Sequence, residues 1–185
     1  MKKTTILSIV AVAFISLTSF TASAQKLVSS KTHFKFFSST PAEDIEANNY
    51  KTVGTLDTSA GAIVFSVPMQ SFEFEKALMQ EHFNSKKFLN TKANPKAKLI
   101  GKIVDLSQVD FGKNGSYTVD VSGDLTINGV TNAVNEKATI VVQDGKIALN
   151  SKLNVTLADY EVAFKKGKPS KNIAKTVEVT VEANY

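Results

Sequence analysis

The chain offers few residues with which to do chemistry. Its 185 residues contain two histidines, His33 and His82, and no cysteine. Metal sites gather several nitrogen, sulfur or oxygen ligands, and neither histidine has a partner at H-E-x-x-H spacing, so no metal is expected. Asp110 to Val121 approaches a calcium loop, with Asp110, Asn114 and Gly115 at positions 1, 5 and 6. It fails at positions 3 and 12, where Gly112 and Val121 stand in place of oxygen ligands, and it reads as a turn. No serine sits in a G-x-S-x-G elbow, and no glycine-rich phosphate loop occurs. An enzyme would have to pair His82 with a nearby carboxylate and would lose its activity in His82→Ala. With no catalytic constellation, the reading is a protein that is not an enzyme; His82 is either a surface or lid-packing histidine or a hydrogen-bond donor at the mouth of a cavity.

The element that would position His82 is the stretch from Glu75 to Lys102, where strand-like alternation stops. Leu78, Met79, His82 and Phe83 recur at i, i+1, i+4 and i+5, one face of a short helix. A second turn is expected from Ser85, whose hydroxyl can cap free backbone donors, bringing Phe88 and Leu89 to the same side. Both pieces end before Pro95, because proline pushes Asn94 out of the helical region. The spacing predicts a broken amphipathic lid.

The rest of the chain alternates with period two. Strands are expected at 32–37, 50–57, 62–67, 97–106, 117–127, 134–142, 147–157 and 176–185, with 41–49 a polar loop. Asn114-Gly115, Asn128-Gly129 and Asp144-Gly145 supply the positive φ angles of tight hairpins. Eight hairpin-connected strands argue for an all-β, eight-stranded antiparallel barrel, whose closure removes unpaired edges, with the lid between strands 3 and 4. Such an interior is either filled by side chains or holds one small ligand. A membrane barrel would also alternate, with apolar residues outward, but its strands run to about 9 to 11 residues between aromatic girdles. Here there is no Trp and strand 62–67 is too short, so the apolar face is taken as interior.

Residues 1–24 read as a signal peptide: Lys2 and Lys3, an apolar run from Ile6 to Phe20, and Ala22-Ser23-Ala24 as the cleavage site. The domain is then 25–185, periplasmic or secreted, with its stability resting on packing because no disulfide can form. Lysines cluster at 76, 86, 87, 92, 96, 98 and 102 against one acid, Glu81, and again at 165, 166, 168, 171 and 175. One reading is two solvated faces. The other is transient contact with an anionic membrane surface. Nucleic acid is not expected of an exported chain without arginine, and nothing fixes the oligomeric state.

Two segments, FSVPMQSFEFEKALMQEHFNSKKFLNTKANPKAKLIGKI (Phe65 to Ile103) and GDLTINGVT (Gly123 to Thr131), resemble the YceI-like family of bacterial envelope proteins. Leu157-Ala158-Asp159-Tyr160 also fits, whereas Pro41 to Ala47 departs from the glycine-rich text of better-known members. The resemblance implies a lipocalin-like barrel whose tunnel binds a polyisoprenoid chain, such as a prenyl phosphate or prenylated quinone, with no other cofactor. The expected function is a periplasmic carrier of an amphipathic, long-chain isoprenoid-type lipid held in the barrel interior. The alternative is a structural or stress-related envelope protein with a packed barrel and no ligand. The expected cavity lining is Phe34, Phe36, Ile63, Phe65, Val67, Val119, Val121, Leu153, Val155, Val177 and Val179. Leu78, Met79, Phe83 and Phe88 would close one side, with His82 at the head group.

Overall fold

Alternation along the chain becomes one antiparallel sheet in which the apolar side chains turn inward. The computed structural model describes residues 25–163 and 171–185. The segment read as a signal peptide and Lys165, Lys166 and Lys168 of the second lysine cluster lie outside the described residues. The strands are β1 (Lys26–Val28), β2 (Lys31–Ser39), β3 (Asp44–Asn49), β4 (Val53–Asp57), β5 (Ala62–Pro68), β6 (Glu73–Phe74), β7 (Lys96–Ile103), β8 (Gly115–Ile127), β9 (Val130–Gln143), β10 (Lys146–Thr156) and β11 (Thr176–Asn184). One α-helix, α1 (Ala77–Asn84), precedes β7, and single 3-10 turns lie at Met69–Ser71, Leu106–Gln108 and Leu157–Tyr160.

The strands number eleven among the described residues, not the eight expected, and pair in the order β1-β4-β5-β7-β8-β9-β10-β11-β2-β3-β6. Consecutive β1 and β2 stand far apart in this order: β1 pairs with β4, while β2 pairs with β3 and β11. The sheet therefore curls round on itself, and the β1–β4 pairing runs in the same register as the β2–β3 pairing. The largest departure is β3, expected to be loop. Its inner face carries Ile45, Ala47 and Asn49, too little apolar surface for alternation to reveal it. The buried Asn49 makes the position tenable: its amide donates to the Pro68 carbonyl at 2.9 Å and its oxygen accepts from the Lys51 N–H at 2.9 Å.

Two of the three expected hairpin turns form. Asn128 and Gly129 have φ of 53° and 81°, and Asp144 and Gly145 have 52° and 76°, the left-handed pair a two-residue hairpin needs. Asn114-Gly115 makes no such turn. Gly115 is already in β8 opposite Val142, and the Asn114 side chain instead brackets the neighbouring hairpin, donating to Asp144 Oδ1 at 3.0 Å and accepting from the Asp144 N–H at 2.9 Å. The calcium-like stretch is a turn only at its start, with Asp110 Oδ1 accepting from the Gly112 N–H, and from Gly115 to Val121 it is already strand β8. No group of metal-ligating side chains occurs among the described residues.

One end of the curl is filled by side chains. Leu56, Ile63, Ile103, Val119, Ile140, Val142 and Leu149 are all buried there. The hydroxyl of Tyr185 lies close to Gly54, 3.1 Å from where a Cβ on that glycine would stand, and is buried with no hydrogen-bond partner among the described residues. Burial raises the pKa of this phenol. An unpaired buried hydroxyl costs about 1–3 kcal/mol, so Tyr185→Phe is expected to leave stability unchanged or raise it by about 1 kcal/mol, read as the urea midpoint.

Candidate functional site

The other end of the curl is hollow. An apolar cavity of about 310 Å³ lies between the sheet and the connection that carries α1. That volume falls near the lower bound, about 300 Å³, of sites that hold small molecules. Inward positions of several strands line it: Phe34 and Phe36 from β2, Phe65 and Val67 from β5, Leu99 from β7, Leu125 and Ile127 from β8, Leu153 and Val155 from β10, and Val177, Val179 and Val181 from β11. Three of these form a row across the sheet, because Leu153 pairs with Val179 and Val179 with Phe36.

A cluster of phenylalanines closes the cavity. Phe83 of α1 stacks on Phe36, with ring centres 5.7 Å apart and planes 15° apart, and meets Phe74 at 5.0 Å, Phe72 at 5.6 Å and Phe88 at 6.1 Å. Aromatic pairs favour such separations. The cluster also explains why α1 is helical. Eight residues are too few for an isolated helix in water, and the N-cap, Lys76, makes no side-chain capping bond. The helix forms because Phe83 has a ring to pack on.

The segment after α1 is a series of turns and not the second helical turn expected. Ser85 caps the end of α1, its hydroxyl donating to the His82 carbonyl at 2.8 Å. Thr91 then ties the turns back to the helix, donating to Asn84 Oδ1 at 2.8 Å. Further on, Asn128 at the β8–β9 turn accepts from the Asn94 amide at 2.8 Å and donates to the Tyr160 carbonyl at 3.2 Å. That knot joins the turns after α1, the β8–β9 hairpin and Leu157–Tyr160, and so shapes the rim where Leu89, Ile127, Leu157 and Val162 line the cavity.

Of the side chains expected at a cavity, Phe34, Phe36, Phe65, Val67, Met79, Phe83, Phe88, Leu153, Val155, Val177 and Val179 are brought together. Ile63 and Val119 are instead buried at the filled end, and Val121 packs half-buried against the same core. Leu78 points outward and is 62% exposed: Phe83 fixes the inward direction of so short a helix, and Met79, one turn earlier, shares it. Sequence reasoning missed Phe72 and Phe74, although Phe-Glu-Phe is itself a period-two signal, and it missed Met69, Leu157 and Ile173, which stand in irregular connections; Leu89, expected on the same side as Phe88, does line the cavity.

Polar groups are confined to a few positions: Ser38, Glu43, His82, Lys98 and Asn172. Glu43 is engaged by Lys76 Nζ at 3.0 Å and by the Asn172 amide at 3.4 Å, and these hydrogen bonds hold its carboxyl below the ordinary glutamate value. A depressed carboxyl pKa means that the link between the turn before β3 and the start of α1 is in place at neutral pH and is lost as pH falls through the lowered value. A carboxyl NMR titration of Glu43 should show a midpoint below that of an ordinary glutamate, and Lys76→Met should return it toward that value. The buried Ser38 hydroxyl accepts from the Ala174 N–H at 2.9 Å, which fastens the segment before β11 to the same rim. His33 lies on the outside of the sheet, stacked on Tyr50 at 4.7 Å, with Nε2 2.8 Å from Asn48 Oδ1. It takes no part in the cavity.

Among curated proteins, none matches the chain. Solved structures do match its fold. A polyisoprenoid binding domain from Saccharophagus degradans, implicated in plant cell wall breakdown, superimposes with a TM-score of 0.73 at 18% identity, over 88% of this chain and 98% of that one. BcnA from Burkholderia cenocepacia gives 0.68 at 17% identity, over 83% and 96%. The YceI protein of Campylobacter jejuni gives 0.57 at 17% identity, over 74% and 80%. The YceI-like domain model matches residues 16–185, and the chain accordingly belongs to the YceI-like family.

Proposed function

We propose that this protein is a periplasmic or secreted carrier that holds the chain of one isoprenoid-type lipid in the cavity, with the head group at the rim. The carrying observation is the cavity itself: a phenylalanine-, valine- and leucine-lined space of about 310 Å³ with a handful of polar groups at its edge. Burial of an isoprenoid chain there contributes roughly 25 cal/mol per Å² of apolar surface before ordering costs are subtracted. The family and the likeness to a polyisoprenoid binding domain support the same ligand class.

The rim narrows the head group. Glu43 has its carboxylate occupied by Lys76 and Asn172, whereas His82 makes no ion pair among the described residues. Its ring can offer a donor, which suits an acceptor-rich head such as a phosphate or a quinone carbonyl. The protein acts by binding, with no resident cofactor and no catalytic step. The helix α1 is the lid, and its weak intrinsic helicity suits an element that must open to admit a chain.

Native mass spectrometry of protein purified without detergent tests this reading. A bound mass that organic extraction identifies as an isoprenoid lipid is the expected result. Bare protein that also takes up no added prenyl phosphate or prenylated quinone would overturn it and leave a structural envelope protein.

A further inference from the structure

The outer side of α1 and the turns after it are unlike the rest of the rim. Leu78 stands on the helix surface turned away from Phe83 and is 62% exposed. Lys86, Lys87 and Lys92 follow in the same surface segment, all exposed, and none of them forms an ion pair among the described residues. Solubility alone explains the lysines. It does not explain an exposed leucine on the element that closes the cavity.

We infer that this face of α1 and the turns after it dock on an anionic lipid bilayer, with Leu78 entering the interface and Lys86, Lys87 and Lys92 meeting the head groups. Charge complementarity selects the occupant. Against Glu81, the one acid of α1, stand three unpaired ammonium groups in the turns that follow; this net positive segment fits a negative leaflet, where each lysine near the surface strengthens binding by about fivefold, and it repels a second copy of itself. The inner side of the same helix carries Met79 and Phe83 into the cavity, so docking would set the lid against the phase from which a lipid chain is drawn. The inference rests on the carrier reading for its purpose but not for its measurement.

The chain has no tryptophan, so Leu78→Trp supplies a single reporter at the docking face. Val104→Trp, at a 60% exposed position beside Asp105 and bonded to the Asp120 carbonyl, serves as the control. With vesicles of equimolar phosphatidylcholine and phosphatidylglycerol, emission of Leu78→Trp should shift to the blue and return on addition of salt, while Val104→Trp stays unchanged. Phosphatidylcholine vesicles should shift neither. Sedimentation should show that Lys86→Glu/Lys87→Glu/Lys92→Glu lowers partition by at least about a hundredfold, in line with about fivefold per charge. Three outcomes would overturn the inference: no shift at Leu78→Trp, an equal shift with phosphatidylcholine alone, or a shift that appears on raising protein concentration without vesicles, which would mark a contact between copies. Native mass spectrometry of the triple variant separates the two ideas. Retained lipid with lost partition keeps both, and lost lipid in the wild-type protein with intact partition removes the carrier reading alone.

Discussion

Gly123→Ala should destabilise the protein by about 3 kcal/mol, at the upper end of the usual range for overpacking. Gly123 faces Gly101 across the β7–β8 pair, and the two backbones approach so closely that a Cβ on Gly123 would stand 2.4 Å from the Ile100 carbonyl oxygen and 2.5 Å from the Gly101 Cα. These are main-chain atoms. No rotamer change moves them aside, so relief requires the two strands to part. Gly101→Ala meets a milder obstacle, the Ser122 carbonyl oxygen at 3.0 Å, and Gly112→Ala only Asp110 Oδ1 at 3.4 Å. Urea denaturation should therefore rank the three substitutions in that order, with Gly112→Ala close to neutral. Equal midpoints for all three would mean that the close approach of β7 and β8 is not a constraint.

The same glycine shows what the sequence makes legible. Gly123 opens the Gly123 to Thr131 text that marks the family, yet text does not say why a glycine stands there; the reason is a cross-strand contact that no local pattern encodes. Faces are easier to read. Ile63, Phe65 and Val67 alternate, and all three are buried on one side of β5. Asn128-Gly129 and Asp144-Gly145 could be placed as turns because the φ angles they adopt are local properties. Asn114-Gly115 could not, because Asn114 takes its partners from Asp144, distant in the chain.

Which end of the curl is hollow was illegible for a deeper reason. Val119 and Val155 are the same residue in the same kind of alternating strand, but the first is buried among side chains that meet across the sheet and the second lines open space. The difference is made elsewhere, by Phe72, Phe83 and Leu89 from segments that are not long strands. They bridge the hollow end as a roof and leave room beneath it. Period-two patterning reports inside against outside and carries no information on depth.

That asymmetry gives the test with the largest expected effect on binding. Val179→Trp projects an indole into the cavity between Leu153 and Phe36, its neighbours on the adjoining strands. Space already exists there, so the added ring displaces ligand and not protein. Lipid retained through purification, measured by native mass spectrometry, should fall by at least about tenfold, since burying an indole in place of an isoprenoid segment removes on the order of 2 kcal/mol of the ligand's apolar contact. The melting temperature should stay within a few degrees of the wild-type value. Val119→Trp makes the same chemical change at the filled end, where Val119 is 1% exposed, and overpacking there should cost about 3 kcal/mol. The pair decides between a hollow and a packed interior without reference to any ligand. If Val179→Trp were as destabilising as Val119→Trp, the space under α1 would be closed in solution, and the phenylalanine cluster would be the core of a packed barrel and not the roof of a binding site.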